Sequence, residues 1–227
     1  MILAVESATP CGSVALVSEG RVLGERMLPR ERQVSETFLA AIDRLLGETR
    51  RRQDAVTHVA VSAGPGSFTG LRVGMAAAKG LCFGWGLPIV PVPTLHALAS
   101  RFPGGDALVC PVLDARKKEV YAGVFRWERG ECLRVRPDAA VPPDALPGWF
   151  PQGTVFFCGD GAVLHGALFR ERMGERALFP PPGEGLPRAS SVGLLAERMV
   201  RAGEAKEART VVPAYLRSSE AEVRRGR

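Results

Sequence analysis

One segment constrains the fold more than any other: Gly64-Pro65-Gly66-Ser67-Phe68-Thr69-Gly70-Leu71-Arg72-Val73-Gly74. An apolar run from His58 to Ser62 leads into it, and a helical pattern from about Phe68 to Phe83 leads out. Glycines let the backbone turn sharply and pass close to a ligand or to another backbone. The free N–H groups and positive dipole end of a helix start suit an anion. The segment is not a Walker A loop, since no Gly-Lys-Ser/Thr follows. It is not the dinucleotide fingerprint either, since Thr69 stands where the third glycine belongs. Two readings stay open: a phosphate cradle built from Gly64, Gly66, Ser67 and Thr69, or a tight strand-to-helix turn capped by Ser67 or Thr69.

The helix that follows places Gly70, Gly74, Ala77, Ala78 and Leu81 on one side. An interior glycine costs roughly 1 kcal/mol relative to alanine, so something must offset it. Small residues allow a close approach by another element, either within the chain or across a subunit interface. The preceding helix, expected from about Ser35 to Leu46, shows Phe38, Leu39, Ile42, Leu45 and Leu46 on one face. Ser35 suits its N-cap, Glu36 its first turn, and Gly47 its stop. Together the two helices are expected to present a protein-binding surface.

Before these helices the chain reads as an antiparallel meander: Ile2 to Glu6, Ser13 to Val17 and Arg21 to Leu28. Turn residues at Thr9-Pro10, Gly12 and Glu19-Gly20 separate the strands. After them come a strand (Pro88 to Val92) and a short helix (Thr94 to Arg101). The Phe102-Pro103-Gly104-Gly105-Asp106 stretch divides the chain into lobes of 1–105 and 106–227. The second half opens as the first did, with strands at Leu108 to Leu113, Val120 to Phe125 and Cys132 to Val135. Leu3-Ala4-Val5-Glu6-Ser7 and Pro111-Val112-Leu113-Asp114-Ala115 are each an apolar strand ending in an acid and a turn, which suggests an internal duplication. The remainder reads as a Pro/Gly-rich loop (Pro137 to Gly153), a strand (Thr154 to Cys158), a helix (Ala162 to Arg172) and a second loop (Phe179 to Pro187). A helix capped by Ser190 or Ser191 then runs to about Arg201, and a basic tail spans Glu220 to Arg227. Asp114-Ala115-Arg116-Lys117-Lys118-Glu119-Val120-Tyr121 is either a phosphate-holding turn, metal-bridged or bare, or a charged hairpin tip.

Composition narrows the function. Hydrophobic residues make up 46% and aromatics 7%, so a folded core rests on Leu, Val and Ala. Cys11, Cys82, Cys110, Cys132 and Cys158 are odd in number and scattered, which suits reduced core thiols rather than disulfides or zinc. His58, His96 and His165 stand alone, without a metal-binding spacing, and no G-x-S-x-G nucleophile elbow is present. The net charge of +6 admits a nucleic-acid surface, but its arginines are mostly interleaved with acids; Arg50, Arg51 and Arg52 form the densest cluster. The opening Met-Ile-Leu-Ala-Val-Glu lacks the basic start of a signal peptide. The longest apolar stretch, Met75 to Val90, is broken by Lys79, glycines and Pro88, so no membrane span is expected and the chain is read as cytosolic.

Four blocks together resemble the TsaB (YeaZ-type) family, related to the TsaD proteins. They are Ile2 to Thr9 with Ser13 to Leu16; Ala63 to Gly74 with Ala76 to Leu81; Asp114-Ala115-Arg116 with Glu119-Val120-Tyr121; and Pro213-Ala214-Tyr215-Leu216-Arg217. The resemblance implies an α/β, actin-like (ASKHA, ribonuclease H-like) duplicated two-lobe fold. It implies a non-catalytic scaffold in attaching threonylcarbamoyl to the adenosine 3′ of the anticodon in tRNA. The implied partners are a TsaD-type catalytic paralogue and a TsaE-type ATPase, with tRNA reached indirectly and a homodimer when the protein is alone. No cofactor is held firmly, although ATP or ADP at a shared interface is possible on this reading. Ser7, Gly64, Gly66, Ser67, Thr69 and Asp114 are its candidate phosphate ligands. The candidate interface is Phe38, Leu39, Ile42, Leu45, Leu46, Gly70, Gly74, Ala77, Ala78 and Leu81. The family's first strand usually ends in Asp, where this chain has Glu6. Val34 and Phe38 stand where the catalytic paralogues carry a metal-binding His pair, and neither ligates metal. An actin-like ATPase or phosphotransferase acting alone, or a peptidase, are the alternatives.

Overall fold

The computed structural model describes residues 1–28, 34–103 and 105–216, with the backbone alone given for 34–37. The expected roles of Ser35, Glu36 and the Val34 side chain, Gly104 of the boundary, Arg217 and the basic tail lie outside the described residues. Strands β1 (Ile2–Glu6), β2 (Ser13–Ser18) and β3 (Arg21–Met27) form the antiparallel meander. Glu19 and Gly20 both take positive φ between β2 and β3, as a two-residue hairpin turn matched to strand twist requires. Helix α1 (Val34–Glu48) leads to β4 (His58–Gly64), helix α2 (Phe68–Trp85) and β5 (Ile89–Pro93). Strands β4 and β5 are parallel to β1, giving the order β3-β2-β1-β4-β5.

The second half repeats this plan. Strands β6 (Leu108–Arg116), β7 (Glu119–Glu128) and β8 (Glu131–Val141) form a meander, and β9 (Val155–Cys158) and β10 (Ala177–Leu178) extend it in parallel. The order β10-β9-β6-β7-β8 is that of the first sheet, strand for strand. Even the hairpin turn recurs, with Arg129 and Gly130 at positive φ. Helix α4 (Asp160–Met173) follows β9 as α2 follows β4.

Side-chain size then decides the layering. Along β1, Leu3 and Val5 point to one face and Ile2 and Ala4 to the other, as strand alternation requires. The large face packs on α1 and α2 through Phe38, Ile42, Leu45, Met75 and Ala78. The small face (Ala4, Ala15, Ala60) admits helix α5 (Ala189–Arg201), which comes from the other half of the chain. A Cβ on Gly193 of α5 would lie 2.5 Å from Val17 Cγ2, so helix and sheet meet at backbone range. Helix α3 (Thr94–Ala99) sends Leu95 and Leu98 onto the second sheet, against Val109, Leu113 and Phe125. The result is five layers: α1 and α2, first sheet, α3 and α5, second sheet, α4.

Three local expectations need correction. Helix α1 does not stop at Gly47; it runs to Glu48 and turns out through Arg50, at φ 52, with the Arg51 N–H donating to the Leu46 carbonyl. The stretch 137–153 is not all loop. Strand β8 keeps pairing with β7 through Val141, its bulges taking up Pro137 on the sheet edge, and a 3-10 turn covers Pro143–Trp149. Neither Ser190 nor Ser191 caps α5. The Ala189 N–H donates to Ser13 Oγ at 2.8 Å, and the Ser190 N–H and hydroxyl donate to the two Glu25 carboxylate oxygens at 2.9 and 3.0 Å. The cap therefore comes from the opposite half, and Arg188 adds an ion pair to Glu25 at 3.6 Å. Glu25→Ala is expected to lower stability in urea unfolding by about 1–2 kcal/mol, the scale of a lost cap. Glu171→Ala, on the exposed face of α4, is the neutral control, expected within about 0.5 kcal/mol of the parent.

Candidate functional site

Strand β4 ends at Gly64, whose φ of 116 suits glycine, and the chain enters α2 through a cis Gly64–Pro65 bond. Ser67 caps the helix, accepting the Gly70 N–H at 3.3 Å, while its own N–H donates to the Ala8 carbonyl at 2.7 Å. Gly66, just before α2, and Gly70 and Gly74 within it face the end of β1 and the turn after it. A Cβ on Gly66 would lie 2.6 Å from the Ala8 oxygen, one on Gly70 2.1 Å from the Ser7 oxygen, and one on Gly74 2.0 Å from Ser7 Oγ. On the far side, a Cβ on Gly64 would lie 2.3 Å from the Ala214 oxygen. Intrachain packing thus accounts for the small-residue stripe, and Gly70 and Gly74 leave the expected partner surface.

This packing covers three of the six candidate phosphate ligands, leaves two exposed, and Asp114 lies in the other half of the chain. Ser7 is buried beneath α2, its N–H donating to Ser62 Oγ at 3.2 Å and its hydroxyl without a partner. Gly64 and Gly66 are covered by Ala214 and Ala8. Ser67 and Thr69 remain exposed at the helix start. Asp114 belongs to the second sheet and sits beside Asp160, whose Oδ1 accepts the Asp114 N–H at 3.0 Å. A cavity of about 700 Å³ lies there, walled by Asp114, Asp160, Arg170, Phe179 and the 180–182 prolines; from the first half only Pro10 reaches it. The loop candidates stay together beside Ser7 and Ala8, and Asp114 stands apart from them in the second sheet.

Glu6 turns inward. Its carboxyl is fully buried, with one oxygen accepting the Ala8 N–H at 2.6 Å and the other without a hydrogen-bond partner among the described residues. Burial pushes its pKa up to about 7. The group therefore stays protonated in the fold where the unfolded chain ionises, and stability falls as pH rises from about 4.5 to about 7.

The second half carries a counterpart of the glycine turn. Gly159-Asp160-Gly161 follows β9 and opens α4, as Gly64-Pro65-Gly66 follows β4 and opens α2. Gly159 has φ 104, and a Cβ on it would lie 2.0 Å from the Val112 oxygen. The signal was present in the letters: a strand, Gly-x-Gly, then a helix. Asp160 Oδ1 also accepts the Gly161 N–H at 2.9 Å, and burial raises its pKa, with the neighbouring Asp114 charge adding to the rise.

The helical face divides into core and surface. Phe38, Ile42, Leu45 and Ala78 are buried between α1, α2 and the sheet, so they belong to the core and not to a partner surface, whereas Leu81, also largely buried, reaches the groove between the two helices. Leu39 is 56% exposed, and Leu46 and Ala77 are half-buried. Leu39, Arg72, Val73, Ala76, Ala77, Gly80, Leu81 and Trp85 line an open groove of about 660 Å³ along the α1–α2 seam. Phe83, 66% exposed, extends the same helix's outer side. The Pro213 to Leu216 block explains itself here. The chain after α5 pairs Lys206 with Ile89, buries Ala208 and Val211, and bonds the Ala214 N–H to the Ala63 carbonyl at 2.7 Å. It then lays Tyr215 on Phe68, with ring centroids 4.8 Å apart.

The remaining candidates are structural. Cys82, Cys110, Cys132 and Cys158 are buried, and burial raises the Cys82 and Cys132 thiols to about 11. His96 Nε2 lies 2.8 Å from the Cys132 carbonyl. Among the described residues no group of three His, Cys, Asp or Glu is placed to hold a metal ion, and no helix is long and apolar enough to cross a membrane. Arg50, Arg51 and Arg52 are exposed, with Arg52 paired to Asp54 at 3.1 Å.

Comparison with known proteins matches this architecture. The family model described as "TsaD: tRNA N6-adenosine threonylcarbamoyltransferase" matches residues 23–225. The tRNA threonylcarbamoyladenosine biosynthesis protein TsaB of Escherichia coli is 30% identical, over 96% of this chain and 95% of its own length. This chain belongs to the TsaB (YeaZ-type) family. TsaB of Bacillus subtilis is 29% identical over 98% of this chain and 96% of its own. YeaZ from Pseudomonas aeruginosa superposes with a TM-score of 0.80 at 32% identity, covering 95% of this chain and 99% of that one. A ROK hexokinase from Thermus thermophilus, 15% identical with a TM-score of 0.50 over 89% of this chain and 99% of its own, shares the actin-like fold alone.

Three outcomes follow from the site geometry. Gly74→Ala drives a methyl into Ser7 and is expected to cost about 2–3 kcal/mol in denaturant unfolding. Gly80→Ala, with open space at its Cβ, is expected to add up to about 1 kcal/mol. Glu6→Gln removes the buried titration. Its stability relative to the parent is expected to rise between pH 5 and pH 8 by an amount on the order of 3 kcal/mol, read from paired unfolding curves.

Proposed function

We propose that this chain acts in threonylcarbamoyladenosine biosynthesis on tRNA, as a cytosolic scaffold subunit that performs no chemistry itself. The names of its TsaB relatives support the pathway. The α1–α2 groove supports the role: it is an open, almost wholly apolar seam, rimmed by exposed Leu39 and Ala76, on the outer face of the first lobe. In this reading a TsaD-type catalytic paralogue docks there, a TsaE-type ATPase joins the assembly, and tRNA is reached through the partner. ATP or ADP belongs to the shared interface of that assembly, and the isolated chain self-associates as a homodimer.

The polar geometry favours a scaffold over an actin-like ATPase acting alone. Ser7 is spent beneath α2, and Glu6 folds inward onto the Ala8 N–H. Phe38, standing where the paralogues carry a metal-binding histidine, is fully buried in the core. The docking test uses surface positions, because a charge at Phe38 or Ala78 would unfold the helices rather than probe an interface. In calorimetric titration against the cognate TsaD-type protein, Leu39→Glu and Ala76→Glu are each expected to lower affinity at least about 100-fold, because an unpaired carboxylate would be buried on docking. Both variants should keep the parental circular dichroism. Unchanged affinity in both would place the partner elsewhere.

A further inference from the structure

One cation stands in the wall of this otherwise apolar groove: Arg72. It is exposed, yet its position is fixed from two sides. Its guanidinium lies 3.8 Å above the Phe68 ring, and its Nε donates to the Tyr215 hydroxyl at 3.2 Å. Tyr215 is itself stacked on Phe68 and belongs to the strap that returns from α5. Neither contact neutralises the charge, and among the described residues Arg72 forms no salt bridge.

A protein that covers the groove and its end at Phe68 and Tyr215 takes the Arg72 guanidinium out of water. A guanidinium desolvated without a counter-charge costs several kcal/mol. The occupant must therefore bring a carboxylate to that point or forfeit the apolar contact. The described lining that a second copy would present groove to groove, Leu39, Arg72, Val73, Ala76, Ala77, Gly80, Leu81 and Trp85, holds no carboxylate.

Resting on the docking reading above, we infer that Arg72, held in place by Tyr215 of the C-terminal strap, is the specificity determinant of the groove and pairs with an acidic side chain on the TsaD-type partner. Arg72 is the recognition residue and Tyr215 the positioning residue. The pairing favours the hetero-complex over self-association, because the facing groove lining of a second copy does not answer the charge.

The test is titration of the intact protein with the cognate TsaD-type partner across a series of salt concentrations, beside the Leu39→Glu variant. Arg72→Gln is expected to weaken binding at least about tenfold and to flatten its salt dependence, with Arg72→Glu weaker still. Tyr215→Phe keeps the ring stack and loses the acceptor. It is expected to weaken binding about threefold while leaving the salt dependence in place. Self-association, read by sedimentation, should not weaken in Arg72→Gln. If Leu39→Glu abolishes binding while Arg72→Gln keeps parental affinity and salt dependence, the charge assignment is wrong and the groove stands. If Leu39→Glu also binds normally, the assignment falls together with the docking reading.

Discussion

The contact between the glycine face of α2 and the Ser7–Ala8 turn governs the first lobe. Three missing side chains, at Gly66, Gly70 and Gly74, bring the helix down to backbone distance of the end of β1. That approach fixes where β4 turns, where α2 starts, and how its outer face is presented. It also uses up the polar groups that a ligand cradle would need. The helix-starting N–H of Gly70 goes to Ser67, the Ser67 N–H to Ala8, and Ser7 disappears beneath the helix. The segment's glycines are packed against the protein's own backbone, with Ala214 on the far side of Gly64, and Ser67 and Thr69 stay exposed.

The second constraint is the exchange of helices between halves. The two sheets share one strand order, and each has a positive-φ glycine where its fourth strand meets a helix, Gly64 in one and Gly159 in the other. The helices between the sheets do not stay at home. Helix α5 lies on the small-residue face of the first sheet, capped by Ser13 and Glu25, and α3 sends its leucines to the second. Arg101 adds to the joint by donating to the carbonyls of Glu184 and Leu186. Lobes joined this way share their cores, which suits a rigid platform for a partner.

Much of this was legible in the sequence, and the misses have physical causes. The meanders, the glycine turn and the α1 stripe rest on local periodicity and turn chemistry, which single residues declare. The direction in which the α2 glycines face is a tertiary fact. Gly70 and Gly74 serve an intrachain contact as well as a subunit interface, and only the position of Ser7 decides between them. Phe38 and Leu39 are neighbours on one apolar stripe, yet one is core and the other surface, because a stripe does not state its own width. The α5 cap was misread because its acceptors, Ser13 and Glu25, lie far away in sequence. The strap escaped because Pro213 to Leu216 has no periodicity, and its meaning comes from Ala63 and Phe68 beneath it.

The central claim is that this chain works by holding a catalytic partner rather than by reacting. The most direct measurement is threonylcarbamoyladenosine formation in a reconstituted mixture of the cognate TsaC-, TsaD- and TsaE-type proteins with tRNA, ATP, threonine and bicarbonate, in the presence and absence of this protein. The account predicts that product forms only when it is present, and that adding it alone to tRNA and substrates gives none. Equal product in its absence would contradict the account.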